Sequence, residues 1–207
     1  MNIKIPGIIK PLMPRLLALD FETNGLDDRQ RPPQPWANYP VSVAIFAVSH
    51  EGDVEPLYSS RISGATAFND WATRMHEFSP GDLQDEPSLE EAVRAMSALV
   101  EPGDVMVCHN VSYDLVRCLQ NSCHMLSIDA SAILSLPRFC SCRSEWATDR
   151  NGDKWLSLAG LCAMYGVKNT RAHTSSDDAL ALAQCLSKAL AAKPGQSLGL
   201  ADVLRAI

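Results

Sequence analysis

Leu16-Leu17-Ala18-Leu19-Asp20-Phe21-Glu22 is the stretch on which the reading of this chain turns. Its near-continuous apolar character predicts a buried strand with no polar face until its end. On a strand, residues i and i+2 point the same way, so Asp20 and Glu22 aim two negative charges at one point. Like charges that close are costly unless a cation sits between them, and a divalent metal ion is the usual answer. Asn24-Gly25 follows at once and predicts a turn, which leaves the pair at the lip of a sheet.

The rest of the chain supplies the body around that strand. Its 207 residues suit one good-sized core, and 46% hydrophobic with 20% charged residues fits a globular protein. Residues 1–14, with Pro6, Pro11 and Pro14, read as an N-terminal extension without a secretory or membrane-spanning pattern. Seven irregularly spaced Cys fit a reducing, intracellular setting (cytoplasmic, or nuclear in a eukaryote) better than a disulfide framework. The net charge of −6 argues against a protein that grips long duplex nucleic acid through its phosphates. Charge is uneven, however. Residues 51–104 hold 12 acidic and 3 basic side chains, whereas 138–171 hold 6 basic and 3 acidic ones. A basic strip beside an acidic site suits a short or single-stranded anionic substrate; two plainly solvated faces are the alternative.

Residues 29–40 form a proline-rich loop, in which Trp36 and Tyr39 either stack on bases or pin the loop to the body. Strands are predicted over Val41–Val48 and Val54–Ser59, then helical spacing over Phe68–His76. Ser88 and Glu91 form a capping box opening a helix that runs to about Val100. A strand at Asp104–Cys108, a helix at Ser112–Leu119, a strand at Met125–Ile128 and a helix at Leu156–Tyr165 follow. A last helix runs from about Thr174 to Ala192, with Leu182, Leu186 and Leu190 on one face. Early strands followed by strands interleaved with helices make an α/β structure with a mixed sheet. After Pro194-Gly195, residues 193–207 read as a tail, a short amphipathic helix that folds back or docks on a second copy or partner.

Chemistry collects at the ends of these elements. Asp114 lies in His109-Asn110-Val111-Ser112-Tyr113-Asp114, just past a strand, and His173 and Asp178 open the last helix. Four carboxylates and one histidine match two-metal phosphoryl chemistry: one cation activates the attacking water and another, about 4 Å away, stabilises the leaving oxygen. Oxygen ligands favour Mg²⁺ or Mn²⁺, and a histidine can take the proton of that water.

These motifs resemble the DEDDh 3′→5′ exonucleases, the family of proofreading subunits, RNase T, oligoribonuclease and the TREX enzymes. The family pattern Asp-x-Glu-Thr-Thr-Gly-Leu stands here as Asp20-Phe21-Glu22-Thr23-Asn24-Gly25-Leu26. His-Asn-x-x-Phe-Asp stands as His109 to Asp114, and His-x4-Asp-Ala as His173 to Ala179. A weaker His-Gly-Ile element stands as His76-Glu77-Phe78. The resemblance covers about residues 15–190 and implies an RNase H-like α/β domain over 15–192. That domain is a mixed five-stranded sheet, three antiparallel strands followed by parallel ones, flanked by helices. It implies a nuclease with two Mg²⁺ or Mn²⁺ ions held by Asp20, Glu22, Asp114 and Asp178, and His173 as general base. Thr23, Asn24, Leu26, Phe78 and Asn110 would meet the substrate, a nucleic acid with a free 3′ end. A second copy or a polymerase or other replication protein is the further partner implied, and a membrane is not. Asn24, Tyr113 and Glu77 depart from the usual Thr, Phe and Gly.

Asp177 and Asp178 compete for one role. A helix starting at His173 would put Asp177 on its face, whereas Thr174, Ser175 and Ser176 are good N-cap residues that favour a later start and Asp178. The expected activity is hydrolysis of terminal phosphodiesters of single-stranded DNA or RNA to 5′-mononucleotides. A metal-dependent phosphatase and a non-catalytic nucleic-acid-binding module are the other classes. His109 and Asn110 serve equally well as helix-capping groups. Cys118, Cys123, His124, Cys140 and Cys142 lack clean zinc-knuckle spacing and read as core thiols.

Overall fold

The computed structural model describes residues 14–25, 37–76, 79–142 and 156–191. Leu26, Phe78, Trp36, the tail at 193–207 and most of the N-terminal extension lie outside the described residues, as do Arg143, Arg150 and Lys154 of the basic strip.

Among the described residues, five strands form one sheet: β1 (Leu16–Thr23), β2 (Pro40–Val48), β3 (Val54–Arg61), β4 (Val105–Cys108) and β5 (Arg138–Cys140). Their order is β3-β2-β1-β4-β5. The first three strands are antiparallel neighbours, and β4 and β5 run parallel to β1. This is the α/β mixed five-stranded sheet expected of an RNase H-like fold. The helices are α1 (Asp70–His76), α2 (Leu89–Ser97), α3 (Asn121–Leu126), α4 (Ser131–Leu134), α5 (Leu158–Tyr165) and α6 (Ser175–Ala191). A π-wound segment, Ser112–Gln120, leads directly into α3.

The sheet is covered on both faces, which explains the continuous apolar run in β1. Leu17, Leu19 and Phe21 pack with Val43, Ile45, Met96, Leu115 and Ile133 on one side. Leu16 and Ala18 pack with Ala44, Leu161, Ala179, Leu182 and Leu186 of β2, α5 and α6 on the other. Asp20 and Glu22 continue that second row, so both carboxylates rise on the α6 side. At the far end of β1 a bidentate ion pair, Arg15 to Asp104 at 2.8 and 3.1 Å, ties its start to the start of β4.

Local signals explain most boundaries. The Ser88 hydroxyl accepts the Glu91 N–H at 3.3 Å while the Glu91 carboxylate accepts the Ser88 N–H at 2.8 Å, the reciprocal box expected for α2. That helix stops at Ser97, one turn before the expected Val100. The strand expected at Met125–Ile128 is instead the end of α3, closed by Ser127 in the left-handed conformation. The fifth strand lies further on, at Arg138–Cys140. The expected ordinary helix at Ser112–Leu119 is π-wound. Its buried positions 114, 115, 118 and 119, with 122 and 123 in α3, repeat every four residues. A winding wider than 3.6 keeps such a repeat on one side.

Candidate active site

Asp20 and Glu22 leave β1 side by side, and Asp178 meets them from the first turn of α6. One carboxylate oxygen from each lies within 4.8 Å of the others. Among the described residues this is the one His/Cys/Asp/Glu group close enough to share an ion. The cysteine and histidine positions considered for zinc are not brought together in that way. Cys140 and Cys142 approach to 3.6 Å between sulfurs, and the seven cysteines, all among the described residues, form no disulfide.

The electrostatics mark this group as built for a cation. Enclosure by protein, then repulsion from Asp178 and Asp114, pushes Glu22 up to about 8. Burial, with repulsion from Asp114, Glu22 and Asp178, holds Asp20 well above the carboxylate range. Asp114, buried in the π-wound segment, is pushed by burial up to about 7, although backbone hydrogen bonds at Phe21, Asn110 and Asp114 itself pull it back. Asp114 thus bears on the group through its charge, from outside the three-oxygen cluster. A divalent cation offsets this repulsion and takes oxygen ligands of this kind, so the residues fit one.

Asp178 is aimed by its neighbours. Its two oxygens accept the side-chain amide of Asn169 and, at 3.1 Å, the backbone N–H of His173. Asp177 is held differently. Its carboxylate accepts the Thr174 hydroxyl at 2.6 Å, and its N–H returns to Thr174 Oγ1 at 3.2 Å. Thr174 therefore caps α6 with Asp177, and Asp178 faces the cluster. His173 precedes the helix with φ 71° and is exposed at the rim.

The turn after Glu22 is clamped rather than open. Thr23 shares a 2.7 Å hydrogen bond with the Tyr113 hydroxyl, which also donates to Asn38 at 3.4 Å. Asn24 is fully buried, and its Oδ1 accepts the Tyr39 N–H at 3.1 Å. Its side chain is sealed from solvent and ties the turn to the start of β2. Gly25, at φ 67°, packs so tightly on α1 that a Cβ would stand 2.6 Å from the Ala72 methyl. Asn69 completes the clamp, donating to the Gly25 carbonyl and accepting the Ala72 N–H at 2.7 Å. His76 is buried against Thr23 O at 3.2 Å and edge-on to Phe68, a structural placement. Tyr39 pins its loop through Ser63 O at 2.9 Å. Asn110 accepts the Tyr113 N–H at 3.3 Å and so caps the π-wound segment, and His109 pairs with Ser141 at 2.8 Å. Asn169, Asn69 and Asn38 carried no sequence signal; single amides in loops lack spacing or periodicity to betray them.

The fold and this acidic strand end define a nuclease-type α/β domain. The chain belongs to the exonuclease family described as RNase_T, whose model matches residues 17–186. That agrees with the DEDDh-type motifs read from the sequence. No curated protein matches the chain by sequence. Its fold is similar to that of E. coli exonuclease I in a zinc-bound complex with single-stranded DNA. There the identity is 16% and the TM-score 0.68, over 94% of this chain and 43% of that one. It is similar also to a 3′-exonuclease that recognises the histone mRNA stem-loop (10% identity, TM-score 0.64, 86% and 82% coverage). Cell-death related nuclease 4 is a further structural neighbour (19% identity, TM-score 0.62, 86% and 64% coverage). The chain spans less than half the length of the exonuclease I structures it matches. No helix among the described residues is long and apolar enough to cross a membrane.

Proposed function

We propose that this protein is a metal-dependent 3′→5′ exonuclease of the DEDDh class, releasing 5′-mononucleotides from single-stranded DNA or RNA ends. The observation that carries this reading is the convergence of Asp20, Glu22 and Asp178 within 4.8 Å, with buried Asp114 adding its charge. Divalent cations bound there would supply Lewis-acid activation of water and charge stabilisation on the phosphate. Asp20, Glu22 and Asp178 would hold the cations, Asp114 would contribute to a second position, and His173, exposed beside Asp178, would serve as the proton acceptor. The clamped Thr23–Gly25 turn fixes the wall against which the terminal nucleotide lies. The catalytic domain spans residues 15–192.

Incubation of a 5′-labelled single-stranded oligonucleotide with Mg²⁺ or Mn²⁺ tests the reading. A stepwise ladder is expected, lost in EDTA and in Asp20→Ala. Turnover of a small phosphate ester without any ladder would move the protein to the phosphatase class. Binding without turnover would make it a non-catalytic module.

A further inference from the structure

A polar groove of about 450 Å³ opens beside the carboxylates, between the β2–β3 side of the sheet and the start of α6. Its position follows from register. Glu22 pairs with Ser42, and Ser42 pairs with Arg61, so these three side chains form a row on the α6 face. Neighbouring strands lie about 4.8 Å apart, which places Ser42 one strand from Glu22 and Arg61 two strands away.

Four features of the groove point to one kind of ligand. Arg171 stands on its wall with no ion-pair partner among the described residues, two positions before His173. Arg61 faces it too, 3.8 Å from Glu86, and the lining holds two guanidiniums and one acid. Ser42 and Ser175, both more than nine-tenths buried, share one hydrogen bond at 3.0 Å. Two hydroxyls joined by one bond retain a second hydrogen, which no other described group accepts. Ser175 and Ser176 also begin the 17-residue helix α6, where first-turn N–H groups lack intrahelical acceptors. Two guanidiniums, a spare buried O–H and helix-start N–H groups are all donors, and they line one space that suits an acceptor-rich anion.

We propose that this groove binds a phosphate group next to the metal-holding carboxylates. The inference rests on the nuclease reading and extends it to a second anion position, supplied either by a phosphodiester of the bound strand or by the phosphate of a nucleoside 5′-monophosphate. A local cationic pocket of this kind explains how a chain of net charge −6 holds a polyanion.

The test uses the full chain, Arg171→Ala, Arg61→Ala and the double variant, with Arg171→Lys as the charge-keeping control. Thermal melting confirms folding; both arginines are exposed, so it should not move. Oligonucleotide binding in EDTA is measured against salt, and cleavage is measured on a dinucleotide and an octanucleotide. If the strand supplies the phosphate, the double variant binds the octanucleotide about 10-fold more weakly. The slope of log affinity on log salt also falls by about 1, and octanucleotide cleavage falls by more than dinucleotide cleavage. If the product supplies it, inhibition by a nucleoside 5′-monophosphate is lost while octanucleotide binding is unchanged. Unchanged binding, salt slope and product inhibition in the double variant overturn the proposal. Absence of cleavage by the wild type would overturn the nuclease reading instead, and the binding arm would still judge the groove.

Discussion

The carboxylate group has two halves that are held in opposite ways. Asp20 and Glu22 stand on β1, paired with Ala44 and Ser42 of β2 just beyond the last residue that pairs with β4, so sheet register fixes their position. Asp178 stands on the first turn of a helix, and its direction is fixed by Asn169 and by the His173 backbone in the loop ahead of it. The strand half is backed by the core and tolerates no local adjustment. The loop half is aimed by two hydrogen bonds and is open to local tuning. Position therefore comes from long-range packing here, and orientation from short-range bonding.

The sharpest way to break the comparison is on the helix side. Asp178→Asn is expected to cost about 10³-fold or more in metal-dependent cleavage, because it removes a ligand charge from the group. Asp177→Asn should leave cleavage within about threefold and cost only part of a helix cap, about 1 kcal/mol, read by thermal melting. The reverse ranking in a rate assay would show that Asp177 faces the metals and that the Thr174 cap is misassigned.

A smaller effect is expected from the loop. Asn169→Ala removes one of the two bonds that aim Asp178 and should weaken Mn²⁺ binding by about 10–100-fold in calorimetry. Asn169→Asp should do worse than Ala by adding a like charge beside Asp178. Equal Mn²⁺ affinity in wild type and Asn169→Ala would mean that the helix alone aims the carboxylate.

The same contrast explains what was legible in the sequence. The strand half was open to reading because an apolar run, a period of two and a turn signal all fall within Leu16–Gly25. The late start of α6 was legible too, because Thr174, Ser175 and Ser176 are all good N-cap residues. Asn169 was not, since a lone amide in a loop aligns with no period. β5 escaped because Arg138-Phe139-Cys140 is too short for alternation to show. Met125-Leu126 looked like a strand because two apolar residues at a helix end resemble a short buried run. Asn24 sits within the family motif yet is sealed by Tyr39, a contact that depends on a loop folding back fifteen residues later.

The strand half, with Asp114 beside it, yields the subtlest prediction, since the cost of charging its buried carboxyls should be visible without any substrate. Glu22 is raised to about 8 and Asp114 to about 7, and Asp20 is raised as well. Free carboxyls in an unfolded chain titrate near 4, so between about pH 4 and pH 8 the folded protein holds more protons than the unfolded one. The stability these groups contribute is then complete below about pH 4 and is lost as pH rises through 7 and 8. A divalent cation takes the place of those protons, so its stabilising effect grows over the same interval. Melting of the metal-free protein should fall from about pH 5 to about pH 8, by about 2–4 °C for each kcal/mol that burial and repulsion cost, and Mn²⁺ should restore most at the upper end. Glu22→Gln separates this from other titrations: the amide removes the charge, so the variant should lose part of the pH slope and melt above the wild type near pH 8 without metal. A metal-free wild type whose melting is flat across that range, or a Glu22→Gln variant with an unchanged slope, would show that the strand-end carboxylates share no such repulsion. Position would then be all that β1 contributes to the site.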